Sequence, residues 1–151
     1  MQKPKVTVAY KGKKLAAGKD YAISYSNNKK VGQGLIKVTG KGSYNGQKTV
    51  KFTIMPKKNK IVKLTAKKGR KLLVKLSLST KKTGAKGYEI SYSTKKSFKG
   101  AKKVKTSKTT YTLKKLKKGK TYYVKVRSYA KIGKKVKYGA YSKVMKKKVA
   151  K

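Results

Sequence analysis

The stretch "LKKLKKGKTYYVKVRSYAKIGKK", residues 113–135, decides the fold. Nearly half of it is lysine or arginine, which on its own is typical of a disordered basic tail. Yet Tyr122, Val124 and Val126 occupy every second position, that is, one parity of the sequence, while the residues at the other parity are polar, basic or aromatic. Successive side chains of a β-strand point to opposite faces. The stretch therefore predicts a folded strand with one apolar face and a lysine-covered outer face.

The overall charge of the chain is extreme. The 151 residues include 47 Lys plus Arg and two acids, which gives a formal net charge of +45. Such a charge favours disorder, but disordered chains contain few aromatic and β-branched residues. This chain has 12 Tyr and many Val, Ile and Thr, which favour strands. We therefore expect folded domains coated with lysine.

The basic residues are almost all lysine, since Arg70 and Arg127 are the only arginines. Arginine is the residue that reads phosphates and base edges with two parallel hydrogen bonds. Its scarcity argues against sequence-specific recognition of nucleic acid.

The inventory of reactive side chains excludes most catalysis. The chain has no Cys and no His, and Asp20 and Glu89 are its only acids. Transition-metal sites need such ligands, and glycoside cleavage needs two neighbouring carboxylates. We expect no catalytic residue, metal site, cofactor or small-molecule substrate, and thus no enzyme. A Ser–Lys dyad stays open as an alternative, although no pair stands out.

Alternation with period two recurs along the chain and predicts an all-β fold. It is clear in "KVTVAY" (5–10), "DYAISYS" (20–26) and "TVKFTI" (49–54), which turn-forming Gly, Asn and Lys residues separate. No segment longer than ten residues shows helical spacing of apolar positions. Each of these stretches is expected to be a half-buried strand.

The run "MPKKNK" at 55–60 interrupts the alternation, because Pro56 lacks an amide hydrogen and a basic stretch follows. We predict a boundary near Lys57 and Lys58, giving domains of 1–56 and 57–151. A long loop inside one sandwich is the alternative. Seven strands are expected after the boundary, near 61–66, 71–79, 87–94, 102–106, 109–114, 120–131 and 135–149. Seven short strands are typical of an immunoglobulin-type sandwich.

Parity also predicts the core of the second domain. One face of each expected strand is apolar, and these faces would pack together. The expected core residues are Leu72, Val74, Leu76, Leu78, Tyr88, Ile90, Tyr92, Tyr111, Leu113, Tyr122, Val124 and Val126.

The stretch 109–129 resembles the most recognisable part of fibronectin type III domains. There a Leu, a Gly three residues later and a Tyr three residues further precede an alternating valine strand, as Leu116, Gly119 and Tyr122 do here. The resemblance implies a tyrosine corner, in which the Tyr122 hydroxyl bonds the upstream backbone. The sequence departs from the family at Leu76, where a core Trp is usual, and at Lys118, where a Pro is common.

The first segment resembles short Ig-like repeats that precede fibronectin type III domains in cell-surface proteins of Gram-positive gut bacteria. The shared stretches are Gly18–Tyr21, Ser24–Asn28, Gly32 and Gly40–Gly46. The resemblance implies two small β-sandwich domains in tandem, a short Ig-like domain followed by a fibronectin type III-like one. It also implies an extracellular or cell-wall location, the chain then being a fragment or a processed chain without its signal peptide.

The two acids have expected structural roles. Asp20 precedes a strand and is expected to accept a turn hydrogen bond. An isopeptide bond between a Lys and Asn27, Asn28 or Asn45, promoted by this carboxyl, is the alternative. Glu89 has the parity opposite to the core, so we expect it to face solvent and to pair with Lys125 or Arg127 across the sheet.

The charge itself is the functional feature, because dense lysines attract any polyanion and release its counterions. Exposed tyrosines on the outward face of the 120–131 strand would add stacking against bases or sugars. The predicted polyanion-binding residues are Lys114, Lys115, Lys117, Lys118, Tyr123, Lys125, Arg127, Tyr129, Lys131, Lys134 and Lys135.

The expected partners are nucleic acid without sequence preference, teichoic acid, sulfated or acidic glycans and anionic membrane surfaces. Three alternatives stay open. The lysines could merely keep the protein soluble, the module could be a protein-binding adhesin or structural stalk with incidental charge, or it could be an engineered supercharged scaffold. The sequence leaves the oligomeric state open, and we expect a monomer.

Overall fold

A computed structural model describes residues 1–150. The chain divides into two compact units, Met1–Ile54 and Met55–Lys151. The regular secondary structure of each unit is almost entirely β-strand. The expected all-β fold of two small β-sandwich domains, one after the other along the chain, is confirmed.

The first unit contains five strands. A hairpin of β1 and β2 accompanies a three-stranded antiparallel sheet in the order β3-β4-β5. The strands are β1 (Ala9–Tyr10), β2 (Lys13–Lys14), β3 (Tyr21–Ser26), β4 (Gly32–Gly40) and β5 (Gln47–Ile54).

The core of the first unit is small. Its buried apolar side chains are Leu15, Tyr21, Ile36 and Ile54. The expected strand over 5–10 is wrong for its first four residues, because only Ala9 and Tyr10 pair with a neighbouring strand. In the expected half-buried strand over 49–54, Val50 shares its parity with the buried Ile54 but is exposed on the edge strand β5.

The second unit contains eight strands and one helical turn in the residues that the structure describes. Helix α1 (Thr80–Thr83) follows the second strand of this unit. The strands are β6 (Ile61–Lys67), β7 (Lys71–Leu76), β8 (Gly87–Ser93), β9 (Lys102–Thr106), β10 (Thr110–Leu113), β11 (Thr121–Ile132), β12 (Lys135–Tyr138) and β13 (Met145–Lys148).

Two sheets face each other across the core of the second unit. One has the order β10-β7-β6, and the other has the order β12-β11-β8-β9 with β13 also pairing with β11. Most of the predicted core is buried in one cluster. Tyr92 and Tyr111 pack against it while partly exposed, and Leu78 is only half-buried. The buried members are Leu72, Val74, Leu76, Tyr88, Ile90, Leu113, Tyr122, Val124 and Val126.

Strand β11 shows the predicted alternation of burial. Val124 and Val126 are completely buried and Tyr122 nearly so, whereas the residues between them are half-buried on the opposite face. The strand lies between β8 on one side and β12 with β13 on the other. Because apolar contact holds its inner face, the lysine-rich composition does not prevent folding.

The expected single strand over 135–149 is wrong, since the structure has two strands, β12 and β13, with residues 139–144 between them. A Cβ atom at Gly139 would collide with the carbonyl oxygen of Pro56, so the chain passes close to another backbone segment here. Ser142 keeps the interrupted stretch beside β11, because its Oγ accepts a hydrogen bond from the Val126 amide at 3.0 Å.

The expected strand over 71–79 ends early, at Leu76. The buried Asn59 redirects the chain, since its Oδ1 accepts from the Leu78 amide at 3.1 Å and its Nδ2 donates to the Leu78 carbonyl at 2.8 Å. Ser79 then caps α1. These contacts hold Leu78 out of the core cluster and fix residue 59 firmly to the second unit.

Candidate anion-binding cleft

The tyrosine corner shapes the loop between β10 and β11. The Tyr122 hydroxyl accepts a hydrogen bond from the Lys117 amide at 3.1 Å, as the family resemblance implies. Leu116 is buried, and its amide donates to the Arg70 carbonyl at 3.1 Å. Gly119 has a φ of 66°, which glycine adopts without strain. The corner thus holds the lysines of this loop on a fixed backbone.

This loop and the connection from β8 to β9 enclose a cleft of about 590 Å³, which we call the lysine cleft. Tyr92, Leu116 and Tyr122 form its apolar part, and the Tyr92 and Tyr122 rings have centroids 6.2 Å apart. Six lysines surround it: Lys95, Lys99, Lys102, Lys114, Lys115 and Lys117.

The electrostatics of the lysine cleft are one-sided. Neither Asp20 nor Glu89 is among its lining residues. Six ammonium groups around one concave surface create a local positive potential that an anion would neutralise. The cleft therefore has the size and the charge expected of a phosphate, sulfate or carboxylate site.

Tyr92 is the cleft tyrosine whose neutral form is favoured. Burial raises the pKa of Tyr92, and the neighbouring Tyr111 and Tyr122 hydroxyls raise it further. A neutral phenol can donate a hydrogen bond to an anion. Tyr92 therefore adds a possible donor beside the ammonium groups.

A second depression, also of about 590 Å³, lies between β9 and β10 and shares Tyr92 and Lys114 with the lysine cleft. Tyr111 and Lys108 are also among its lining residues. Because the two depressions share residues, they are adjacent, and aromatic and basic side chains line both. Two adjacent depressions of this kind suit a linear anionic chain better than a single small anion.

The structure brings together part of the predicted polyanion site. Lys114, Lys115 and Lys117 line the cleft, whereas Lys118 in the same loop does not. Sequence reasoning omitted Lys95, Lys99 and Lys102 from the site. Lys95 and Lys102 belong to the lysine pairs at 95–96 and 102–103, and such pairs in turns and at strand ends are the one sequence signal that could have indicated them.

Arg127, another predicted site residue, is engaged within the protein. Its Nη2 and Nε lie 2.8 and 2.9 Å from the same Glu89 carboxylate oxygen. The guanidinium carbon lies 3.7 Å from the Tyr138 ring centroid. A cation with these partners contributes little to binding a polyanion.

The expected exposure of Glu89 is wrong, although its pairing with Arg127 is present. Glu89 lies directly opposite Arg127 in the ladder and is only 4% exposed. The Glu89 side chain does point away from the core, as its parity predicts. However, side chains from the C-terminal third of the sequence cover this outward face. Tyr141 is one of these, and its hydroxyl donates to the same carboxylate oxygen at 3.1 Å.

Lys125 has a similar environment on the outward face. Its ammonium lies 4.1 Å from the Phe98 ring centroid and 4.4 Å from that of Tyr141. Tyr129 packs against Tyr138 with ring centroids 6.2 Å apart, and Tyr123 is half-buried. The predicted interleaving of basic and aromatic residues exists here, but these contacts are largely between the protein's own side chains.

Three predicted residues lie far from the cleft. Lys131 is near the end of β11, and Lys134 and Lys135 lie in the turn to β12 and at its start. At about 3.3 Å per residue, the two ends of β11 are about 36 Å apart. These lysines cannot act with those of the cleft on one short anion.

Asp20 accepts a turn hydrogen bond, as expected. Its Oδ2 receives the Ala16 amide at 2.8 Å. Asn28 is buried, and its side-chain amide donates to the Gln2 carbonyl at 3.0 Å. The isopeptide alternative stays a hypothesis, which the mass of the intact protein would test.

Two further observations concern residues 1–150. They contain no group of three or more metal-ligating His, Cys, Asp or Glu side chains. No helix among them is both long enough and apolar enough to cross a membrane.

Comparisons with known proteins give the family. The profile described as fibronectin type III domain matches residues 59–145. No curated protein matches the sequence.

Solved structures with a similar fold contain several domains. The "FN1-FN3 domains" of chicken CNTN1 align with 81% of this chain and 44% of that one, at 19% identity and a TM-score of 0.56. Domains A168-A170 from titin align with 96% of this chain and 54% of that one, at 15% identity and a TM-score of 0.52. The chain thus spans about half the length of these structures, and the likeness shows the fold.

Proposed function

The chain belongs to the fibronectin type III family through residues 59–145, and we propose that it is a non-enzymatic module that binds polyanions. Domains of this family and of the Ig-like class are typically structural or binding modules. The ligands would be teichoic acid, extracellular DNA and sulfated or acidic glycans. Anionic membrane surfaces offer the same chemistry. The observation that carries the proposal is the lysine cleft, six lysines around one concavity without an acid.

The distribution of charge supports this function over a simple solubility role. A mixed coat of both signs keeps a protein soluble with less self-repulsion, whereas this chain has 47 basic residues and two acids. Glu89 is buried in an ion pair and does not offset the surface charge. Dispersed lysines would capture the polymer, and the cleft would hold one of its anionic groups.

A bacterial cell-surface or secreted location is part of the proposal. It rests on the resemblance of residues 1–56 to Ig-like repeats of Gram-positive surface proteins, carried by Gly18–Tyr21 and Gly40–Gly46. Teichoic acid and acidic glycans are the polyanions of that environment.

A structural stalk or protein-binding adhesin is the second candidate. It is favoured by the similarity to solved structures that contain several domains in one chain. In that case the recognition surface would be a sheet edge or loop set, and the affinity for a protein partner would survive high salt.

The salt dependence of binding tests the proposal. Titration of the full chain with duplex DNA, heparin or teichoic acid should give an affinity that falls linearly with salt on logarithmic axes. For duplex DNA the slope should be about −0.9 per phosphate neutralised. An affinity that does not change from low to molar salt would contradict polyanion binding.

A further inference from the structure

The first unit contains a second cleft, of about 610 Å³, which we call the tyrosine pocket. Two stretches that carry the Ig-like resemblance meet there, since Asp20 and Tyr21 line it together with Gly40, Tyr44 and Gly46. Nothing in the polyanion proposal uses this pocket. All of its lining residues lie between positions 8 and 48.

Two tyrosine rings form one side of the pocket. Tyr10 and Tyr44 meet edge to face, with centroids 5.8 Å apart and planes at 76°. Tyr10 is 55% exposed, although a ring of this size normally buries most of its apolar surface. An exposed aromatic ring paired with a half-buried one beside a concave surface is a feature of ligand sites.

The backbone holds both rings in place. Lys11 and Gly12 have φ values of 46° and 79°, as a two-residue hairpin turn requires, and this turn positions Tyr10 at the end of β1. Residues 40–46 form a closed loop, in which Gly40 donates to Gly46 at 3.0 Å and Tyr44 donates to Lys41 at 3.1 Å. The pocket is therefore preformed, which lowers the entropic cost of binding.

Polar groups without partners surround the rings. Within residues 1–150, the side chains of Ser43, Asn45 and Gln47 make no hydrogen bond to protein, and only Oδ2 of the Asp20 carboxylate accepts one. The two amides can each donate and accept, and the free carboxylate oxygen can accept twice. The pocket thus combines aromatic rings with several solvent-exposed polar groups that a ligand could hydrogen-bond in place of water.

We propose that the tyrosine pocket binds a neutral sugar ring of a glycan. The C–H face of a pyranose is apolar and packs on an aromatic ring, while its adjacent hydroxyls both donate and accept hydrogen bonds. Tyr10 and Tyr44 supply the rings, and Asp20, Asn45 and Gln47 supply the polar groups.

Other ligand classes fit less well. A cationic ligand would be repelled by Lys48, which lines the pocket, and by Lys11, whose ammonium lies 5.7 Å from the Tyr10 ring centroid. An anionic group at the polar end would meet the Asp20 carboxylate. A neutral sugar avoids both repulsions.

The test uses the full chain and three neutral tetrasaccharides, cellotetraose, maltotetraose and chitotetraose. Titrations are followed through backbone amide resonances in about 1 M NaCl, where the Debye length is about 3 Å and polyanion binding is suppressed. At least one sugar should give saturable shifts at residues 40–48 and near Tyr10. Absence of saturable shifts with all three, or shifts confined to residues 55–150, would overturn the proposal.

Variants distinguish stacking from unspecific contact. Tyr10→Ala removes an exposed ring and should weaken binding about tenfold, and Gln47→Ala should weaken it about fivefold. Both side chains are exposed, so the fold should persist, and the unchanged spectrum of the rest of the chain checks this. Val136→Ala removes an exposed apolar side chain of the second unit, and this control should leave sugar affinity unchanged. Equal losses in Tyr10→Ala and Val136→Ala would contradict the assignment.

This proposal is independent of polyanion binding. If the sugars bind in high salt while DNA and heparin do not bind at low salt, the tyrosine pocket is supported and the polyanion function fails. The opposite pattern supports the lysine cleft and overturns the sugar site.

Discussion

The Arg127 guanidinium donates a hydrogen bond from Nε to one carboxylate oxygen of Glu89 at 2.9 Å, and its Nη2 forms a salt bridge to the same oxygen at 2.8 Å. The pair links the central strands β8 and β11 on their outward face. Glu89 is 4% exposed, whereas the Arg127 side chain is 22% exposed. One of the chain's two acids thus has a structural role inside a sheet whose surface is otherwise cationic.

Replacing Glu89 with Gln should destabilise the second unit by about 3 kcal/mol, because Arg127 would keep its charge in a half-buried place without its partner. Hydrogen exchange of the core amides of Ile90 and Val126 measures the free energy of unfolding of this unit alone.

Asp20→Asn is the matched control, since each substitution removes one acid and leaves 47 basic residues against one, a net charge of +46. It should change the stability of the second unit by less than about 0.5 kcal/mol. Equal losses from the two substitutions would mean that only the net charge matters.

The tyrosine corner should contribute measurably to stability. Tyr122→Phe removes the acceptor for the Lys117 amide and should cost about 1 kcal/mol. Tyr123 is the neighbouring residue on the outer face, and its side chain makes no hydrogen bond within residues 1–150. Tyr123→Phe is therefore the control. The same exchange measurement should show no change for this control, and a loss as large as that of Tyr122→Phe would contradict the role of the corner.

Much of the second unit could be predicted because its signals are local. Parity in β11 depends only on the alternation of adjacent residues, and the spacing of Leu116, Gly119 and Tyr122 encodes the corner within one loop. Both follow from backbone geometry that a few consecutive residues determine.

The remaining features depend on residues distant in sequence. The break between β12 and β13 arises where Gly139 meets the Pro56 carbonyl, and Glu89 is covered by Tyr141. The lysine cleft unites residues 95–102 with residues 114–117. Neither the composition nor the alternation of apolar and polar residues predicts which residues distant in sequence lie close together.

One buried and two partly buried phenols should titrate late. Burial is the main cause that raises the pKa of Tyr88, Tyr92 and Tyr141 above the ordinary value of 10.0. For Tyr141, Glu89 raises it further while Arg127 opposes the rise. The neutral phenol is therefore favoured in the folded state. The stability that these neutral phenols add to the folded state is fully present below pH 10.0. It is lost as the pH rises through their folded-state pKa values.

Absorbance of tyrosinate in the near ultraviolet measures this titration. Tyr92→Phe should remove one late-titrating phenol from the folded protein. In denaturant the late component should disappear, because every Tyr then titrates at about 10. A folded protein whose titration curve coincides with that of the unfolded chain would contradict these shifts.

The central claim is that the lysine cleft anchors polyanions, and two triple variants of equal charge test it most directly. One variant changes Lys114, Lys115 and Lys117 to Gln in the cleft, and the other changes Lys131, Lys134 and Lys135 to Gln at the far end of β11. The measurement is the affinity for duplex DNA over a salt series. The cleft variant should bind DNA about tenfold more weakly. Its slope of log affinity against log salt should be smaller in magnitude by about 2.7, because three phosphate contacts of about 0.9 each are lost. The far-end variant should change both much less, and equal losses in the two variants would show that the charge acts only as a diffuse coat.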